Sequence, residues 1–236
     1  MKVAALISGG KDSALALHHA LMKGYNVTYL VSMVPQRDDS WMFHHLNIHL
    51  TSLFAESARI PIRMQTTAGV REEELLDLKN ALASLRVEGV VSGAVASTYQ
   101  KERIEKVCEE LGLQSIMPLW NRNPQSLLTE LLALKFKIII TGVFAHGFTR
   151  SWLGREITRE AVRDLLDLHR QFQISVIGEG GEFETLVLDA PFFEQEIEVV
   201  ESETVWKAEN GHLHVTRARL HKKPPSSRSA TIRDPS

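Results

Sequence analysis

Six consecutive residues, Ser8, Gly9, Gly10, Lys11, Asp12 and Ser13, carry the chemistry a polyphosphate needs. Gly9 and Gly10 let backbone amides approach an anion with no Cβ in the way. Lys11 brings a mobile cation, Asp12 a carboxylate and Ser13 a hydroxyl donor. A second reactive stretch lies far downstream, Gly178-Glu179-Gly180-Gly181-Glu182-Phe183-Glu184-Thr185. Glutamates interleaved with glycines suit neither a regular helix nor a packed strand. Their carboxylates can bind a cation, accept from an ammonium or hold the donors of a substrate, and the plainer reading is a polar turn between strands. Between the two lies a run from Ser97 through Gln100 to Arg103. Arg103, one turn into a helix, can meet a phosphate or carboxylate bidentately, or can simply be a solvated helix arginine.

These residues need elements to hold them. Val3–Ile7 is apolar and partly β-branched, as a buried parallel strand is. Ala14–Leu21 is rich in helix formers. Strand, glycine turn and helix start form a phosphate cradle, because the first helical turn adds unpaired N–H groups and the positive end of the helix dipole. The spacing is too short for a Walker A loop. The hexapeptide instead resembles the pyrophosphate loop of the N-type ATP pyrophosphatases, which implies ATP cleavage between the α and β phosphates.

The rest of the chain continues the alternation. A second strand at Val27–Met33 completes a βαβ unit, so a parallel sheet is expected, with ligands at the carboxyl ends of its strands. Trp41–Arg59 reads as a helix with His44, His45 and His49. A metal is disfavoured there, since no acidic or cysteine partner lies at ligand spacing, and substrate contacts or plain surface histidines are the preferred readings. Ile60–Met64, Gly89–Val95, Gln114–Trp120 and Lys137–Gly142 are further strands. Glu72–Arg86, Ala96–Gly112 and Pro124–Leu134 are helices. The grammar then changes: a loop at Ala145–Leu153, a helix at Thr158–Phe172, a strand at Leu186–Pro191, and a hairpin of Ile197–Trp206 with His212–Leu220 around Glu209-Asn210-Gly211. The expected organisation is a nucleotide-binding α/β domain over 1–142, a smaller α+β substrate domain over 143–220, and a disordered basic tail over 221–236.

Composition sets the outer limits. The chain has 236 residues, 44% hydrophobic and 24% charged, which is ordinary globular usage. A net charge of -2 gives no global pull toward nucleic acid or membrane. A single cysteine, Cys108, precludes an intrachain disulfide and fits a cytoplasmic protein. The first strand follows Met1-Lys2 directly, so no signal peptide is expected.

Three segments in order and spacing, Ser8–Ser13, then Ser97–Arg103 with Pro118-Leu119-Trp120 behind it, then Gly178–Thr185 followed by Leu188–Pro191, resemble the diphthine–ammonia ligase family. Asp39–His44 and Leu153-Gly154-Arg155 are also similar to its motifs, and the likeness runs from about Val3 to about Leu220. It implies a HUP-type (Rossmann-like) nucleotide domain with a C-terminal substrate domain. It also implies the last step of diphthamide synthesis, in which diphthine on elongation factor 2 is adenylated and then amidated with ammonium. ATP and Mg²⁺ follow, with Ser8–Ser13 as the ATP site, Lys11 and Asp12 as catalytic residues and Asp12 also as the metal ligand. Ser97, Gln100, Arg103, Gly178, Glu179, Gly180, Gly181, Glu182, Glu184 and Thr185 are then the expected substrate contacts, the glutamates facing the trimethylammonium of diphthine or the incoming ammonia. No nucleic acid or membrane partner is expected, and a homo-oligomer is open. A tRNA-modifying relative would want zinc-binding cysteines or a basic face, which this chain lacks. An amidase of small carboxylic acids and a non-catalytic ATP sensor are the standing alternatives.

Overall fold

A computed structural model describes residues 1–35, 46–67 and 71–223, with residues 71 and 72 described for the backbone alone. The first half is a five-stranded parallel sheet of order β3-β2-β1-β4-β5, built from β1 (Lys2–Leu6), β2 (Asn26–Pro35), β3 (Ile62–Thr67), β4 (Gly89–Val91) and β5 (Gln114–Ile116). Alternation along β1 explains its two-sided burial. Val3 and Ala5 pack with α1 (Lys11–Met22), α2 (Thr51–Ala58) and α5 (Pro124–Ala133). Ala4 points the other way, into a cluster with Leu78, Leu82, Ile104 and Val107 from α3 (Arg71–Ala83) and α4 (Thr98–Leu111). The sheet is therefore covered by helices on both faces, which is what its continuous apolar strands require.

The second half is an antiparallel sheet of order β7-β6-β9-β8, from β6 (Lys137–Val143), β7 (Phe183–Asp189), β8 (Gln195–Lys207) and β9 (Asn210–Lys222). The expected architecture, a Rossmann-like parallel sheet with a separate α+β part, is thus present. The strand at Lys137–Val143 belongs to the second sheet and not to the first. Its isoleucines at 138, 139 and 140 are all buried, so hydrophobicity alone does not say which sheet takes it. Helix α6 (Arg159–Phe172) is capped by Thr158, whose side chain accepts from the Ala161 N–H.

Several expected boundaries move. β4 and β5 are three residues each, because the chain leaves the sheet early to form the loops of the site. Among the described residues of the stretch expected to be helical over 41–59, a left-handed Asn47 precedes a short 3-10 turn at Ile48–Leu50 and then α2. His44, His45 and the Asp39–His44 motif lie outside the described residues. The β8–β9 hairpin turns at Ala208-Glu209 instead of around Asn-Gly, since Lys207 pairs with Asn210 and Trp206 with Gly211. Gly211 is still required: a Cβ there would lie 2.4 Å from the Trp206 ring. β9 runs through Lys222, past the start expected for the tail, and the buried Lys223 ammonium meets Asp189 at 2.6 Å. No helix of the described residues is long and apolar enough to cross a membrane.

Candidate active site

The strand order 3-2-1-4-5 reverses direction beside β1, and the loops after β1 and β4 open there. The loop after β1 is Ile7–Gly10. Gly9 has φ +84°, a conformation glycine adopts without strain. The loop is laced internally: the Ser13 hydroxyl donates to the Gly10 carbonyl at 3.0 Å, and the Ser8 N–H donates to the Ser13 hydroxyl at 3.3 Å. Gly10 is the N-cap of α1 and supplies no side-chain cap.

The loop's third support comes from the other sheet. β7 lies at an edge, so its outward N–H groups need partners. The Val187 N–H donates to the Gly9 carbonyl at 2.9 Å, and the Lys11 N–H donates to the Thr185 hydroxyl at 3.2 Å. Residues more than 170 positions apart are thereby held in one surface. Lys11, expected to be mobile, is 3% exposed. Its ammonium donates to Asp12 Oδ2 at 2.9 Å and stands 5.2 Å from the centre of the Phe183 ring. Burial against a ring and a carboxylate fixes a side chain that the sequence alone leaves free to wander.

Two adjoining cavities follow. One, of about 150 Å³, is walled by Leu6, Val31, Met33 and Ile104 on its apolar side and by Asp12, Ser13, Ser92, Gln100 and Glu179 on its polar side. The other, of about 70 Å³, is walled by Ser8, Gly10, Lys11, Asp12, Glu184 and Thr185. The first offers apolar faces with a polar rim, the second a cation among loop amides. Gly93, in the loop after β4, touches the first turn of α1 directly. A Cβ there would lie 2.7 Å from the backbone of Asp12 and Ser13. The buried Ser92 hydroxyl has no hydrogen-bond partner among the described residues and faces the larger cavity. Neither residue was singled out from the sequence, where they appear as small residues at a strand end.

The glycine–glutamate segment divides by function. Glu179 Oε1 accepts from three successive backbone N–H groups, Val95 at 2.8 Å, Ala96 at 2.6 Å and Ser97 at 3.1 Å. It thus ties the second half of the chain to the start of α4. Glu182 accepts from the Ser175 N–H at 2.8 Å and the Gly180 N–H at 2.9 Å, closing its own loop. The third glutamate, Glu184, lies on the wall of the Lys11 cavity. Gly178, at φ +72°, has no room for a side chain, since a Cβ would lie 2.8 Å from the Phe183 carbonyl. Gly180 lies against the Glu182 carboxylate, and Gly181 has φ +82° with open space beside it.

The helix-start residues are placed as follows. The Ser97 hydroxyl accepts from the Gln100 N–H at 3.3 Å and so caps α4. The Ser-x-x-Gln spacing is the sequence signature of that cap. Gln100 lines the larger cavity. Arg103 lies with its guanidinium 4.3 Å from the centre of the Tyr99 ring. Leu153-Gly154-Arg155 is structural: Gly154 and Arg155 bond across to Ile140, and Arg155 pairs with Asp164. His49 places Nε2 3.0 Å from the Val215 carbonyl, and burial holds its pKa below the ordinary histidine value. Among the described residues there is no cluster of three or more His, Cys, Asp or Glu side chains suited to a metal ion.

The family models and the curated relatives agree on one group. The diphthamide synthase N-terminal domain matches residues 1–115 and the diphthamide synthase C-terminal domain matches residues 123–221. A diphthine–ammonia ligase from Mus musculus is 34% identical over 243 residues, covering 93% of this chain and 91% of its own. A diphthine–ammonia ligase from Schizosaccharomyces pombe is 35% identical over 225 residues, covering 87% of this chain and 37% of its own. Among solved structures, a predicted subunit of a tRNA methyltransferase from Methanocaldococcus jannaschii is similar over 70% of this chain and 87% of its own, with 17% identity and a TM-score of 0.44.

Proposed function

We propose, from the premise that this chain belongs to the diphthamide synthase family, that it is an ATP-dependent diphthine–ammonia ligase. The observation that carries the reading is the docking of the glycine-rich loop on β7, which brings Lys11 and Glu184 to one cavity. A nucleotide sensor would have no use for an acid from a distant segment beside its phosphate loop.

The chemistry follows from the weakness of a carboxylate as an electrophile. A carboxylate oxygen of diphthine attacks the α phosphorus of ATP. The bond from that phosphorus to the bridging oxygen breaks, and pyrophosphate departs from an acyl adenylate. Ammonia then attacks the acyl carbon, the carbon–oxygen bond to AMP breaks, and the nitrogen loses a proton to give the amide. Negative charge grows on the departing pyrophosphate. The Lys11 ammonium and the loop amides are the groups suited to receive it, being fixed before reaction. The larger cavity suits the nucleoside, with apolar walls for a flat ring and polar groups at its rim.

Asp12 is the residue that would hold Mg²⁺. One carboxylate beside a polyphosphate fits an ion that takes its other ligands from phosphate oxygens and water. That ion would supply charge neutralisation that one lysine cannot give a triphosphate. Elongation factor 2 carrying diphthine is the protein substrate and ammonium the nitrogen source.

Pyrophosphate release, measured with ATP, Mg²⁺, ammonium and diphthine-bearing elongation factor 2, tests this. Release that requires the modified factor is the expected result. Release with a small carboxylic acid in place of the factor would make the enzyme an amidase of another substrate. ATP binding without release would make it a sensor.

A further inference from the structure

Phe144 follows β6 and is 42% exposed. Its backbone is anchored, the N–H donating to the Glu182 carbonyl at 2.8 Å. Gly142 pairs with Glu184 across the β6–β7 ladder, and Phe144, two residues on from Gly142, shares its face of the sheet. The missing side chain at Gly142 makes room for the ring. A Cβ there would lie 2.7 Å from Phe144 Cε2 and 3.4 Å from Glu184 Cβ. An aromatic ring and a carboxylate stem therefore flank one glycine, next to the cavity that holds Lys11.

A solvent-facing ring beside an acid is the arrangement that recognises an alkylated ammonium. The ring's negative face attracts the diffuse charge, methyl groups gain apolar contact, and the carboxylate adds a counter-charge. We propose that Phe144 and Glu184 form the subsite for the trimethylammonium of the substrate side chain, with Phe144 as the residue that selects a quaternary ammonium. The proposal rests on the ligase reading and deepens it. The Glu179 and Glu182 carboxylates hold backbone amides and so shape the loop that carries Glu184. Phe183 presents its ring to Lys11, so among the described residues Phe144 is the exposed ring of this corner.

The test uses choline and its neutral isostere 3,3-dimethylbutan-1-ol, which share shape and differ in charge. With phenylalanine-labelled full-length protein, choline should shift the Phe144 ring resonances saturably, and the neutral isostere should bind about tenfold more weakly. Phe144→Leu should weaken choline about tenfold, Phe144→Tyr should keep it within about threefold, and Phe172→Leu, at another exposed phenylalanine, should leave it unchanged. In turnover, Phe144→Leu should raise KM for the modified factor by a similar factor with KM for ATP unmoved. Equal binding of both probes, no saturable shift at Phe144, or an unchanged Phe144→Leu would overturn the subsite. The choline measurement stands apart from the ligase assay. A wild-type protein that binds choline at Phe144 yet releases no pyrophosphate with the modified factor would sink the ligase reading and keep the subsite.

Discussion

The two glycine-rich loops of this protein look alike in composition and do opposite things. Residues 8–13 hold their shape with their own hydroxyls and carbonyls and with two hydrogen bonds to β7, and they set Lys11 on a cavity wall. Residues 178–185 bring carboxylates that bind the protein itself, three amides by Glu179 and two by Glu182. On the proposed function, the first loop receives an anion that arrives, whereas the second supplies anions that are already in place. The two loops meet at both cavity walls, Glu179 beside Asp12 and Ser13 in the larger and Glu184 beside Lys11 in the smaller. The lesson is that glycine next to charge marks close backbone approach, and that the approaching group can be a ligand or another part of the chain.

The contrast can be broken at several points. Lys11→Ala should cut pyrophosphate release on the order of 10²-fold or more, the effect of losing one preorganised transition-state donor. An unchanged single-turnover rate in that variant would remove the first loop from the chemistry. Gly93→Ala comes next. Its methyl group would press on the Asp12–Ser13 backbone, and overpacking of this kind costs about 1–3 kcal/mol. It should show as a raised KM for ATP with the fold retained by circular dichroism.

Glu179 sharpens the comparison most directly. Glu179→Ala leaves three amides at the start of α4 without their acceptor, so thermal stability should drop by about 1–3 kcal/mol. Glu179→Gln keeps a neutral acceptor and should lose roughly half of that. Were Glu179 a reader of substrate charge instead, Glu179→Gln would raise KM for the modified factor and leave the denaturation midpoint where it was.

A smaller effect concerns pH. Burial holds His18, His19 and His49 below the ordinary histidine pKa; the neighbouring His19 adds to this at His18, while Glu130 opposes it at both His18 and His19. Between about 6.5 and these lower folded values the unfolded chain binds more protons than the folded one. Stability is therefore fully present above about pH 6.5 and falls as pH drops through that window. A urea midpoint lower at pH 5.5 than at pH 7.5 is the expected outcome, and an equal midpoint would contradict it. Asp189 works in the opposite sense nearer the carboxylate range, because burial raises its pKa against the pull of Lys223, so the measurement belongs above pH 5. The smallest expected signal is at Cys108. Burial pushes its thiol up to about 11, helped by Glu105 and opposed by the neighbouring Ser115. At pH 8 it should resist alkylation in the folded protein and react once denatured.

The elements around the first loop were legible because their signals are local. An apolar β-branched run, two glycines and a helix-forming run occupy consecutive positions, and β1, the loop and α1 fall there. The cap at Ser97 was equally local in its Ser-x-x-Gln spacing, although the family resemblance implies a substrate contact at Ser97. Other placements were not legible. Ile138–Ile140 satisfy either sheet, and the partner of β6 is decided by which strand comes back to meet it. The hairpin turn shifted from Asn-Gly because Gly211 is needed under the Trp206 ring, a constraint that strand pairing imposes.

By itself, the amino-acid sequence determined the glycine turn between β1 and α1, the parallel βαβ half, the change of grammar after it, and the family whose motifs lie along it. These rest on neighbours in the chain, where backbone freedom and hydrophobic period act over a few residues. Tertiary structure alone decided that Lys11 is buried against Asp12 and Phe183, that Glu179 holds the start of α4, and that Phe144 and Glu184 share a face. A carboxylate binds whatever donors fold within about 3 Å of it, and that proximity is set by the packing of two sheets and not by spacing along the chain.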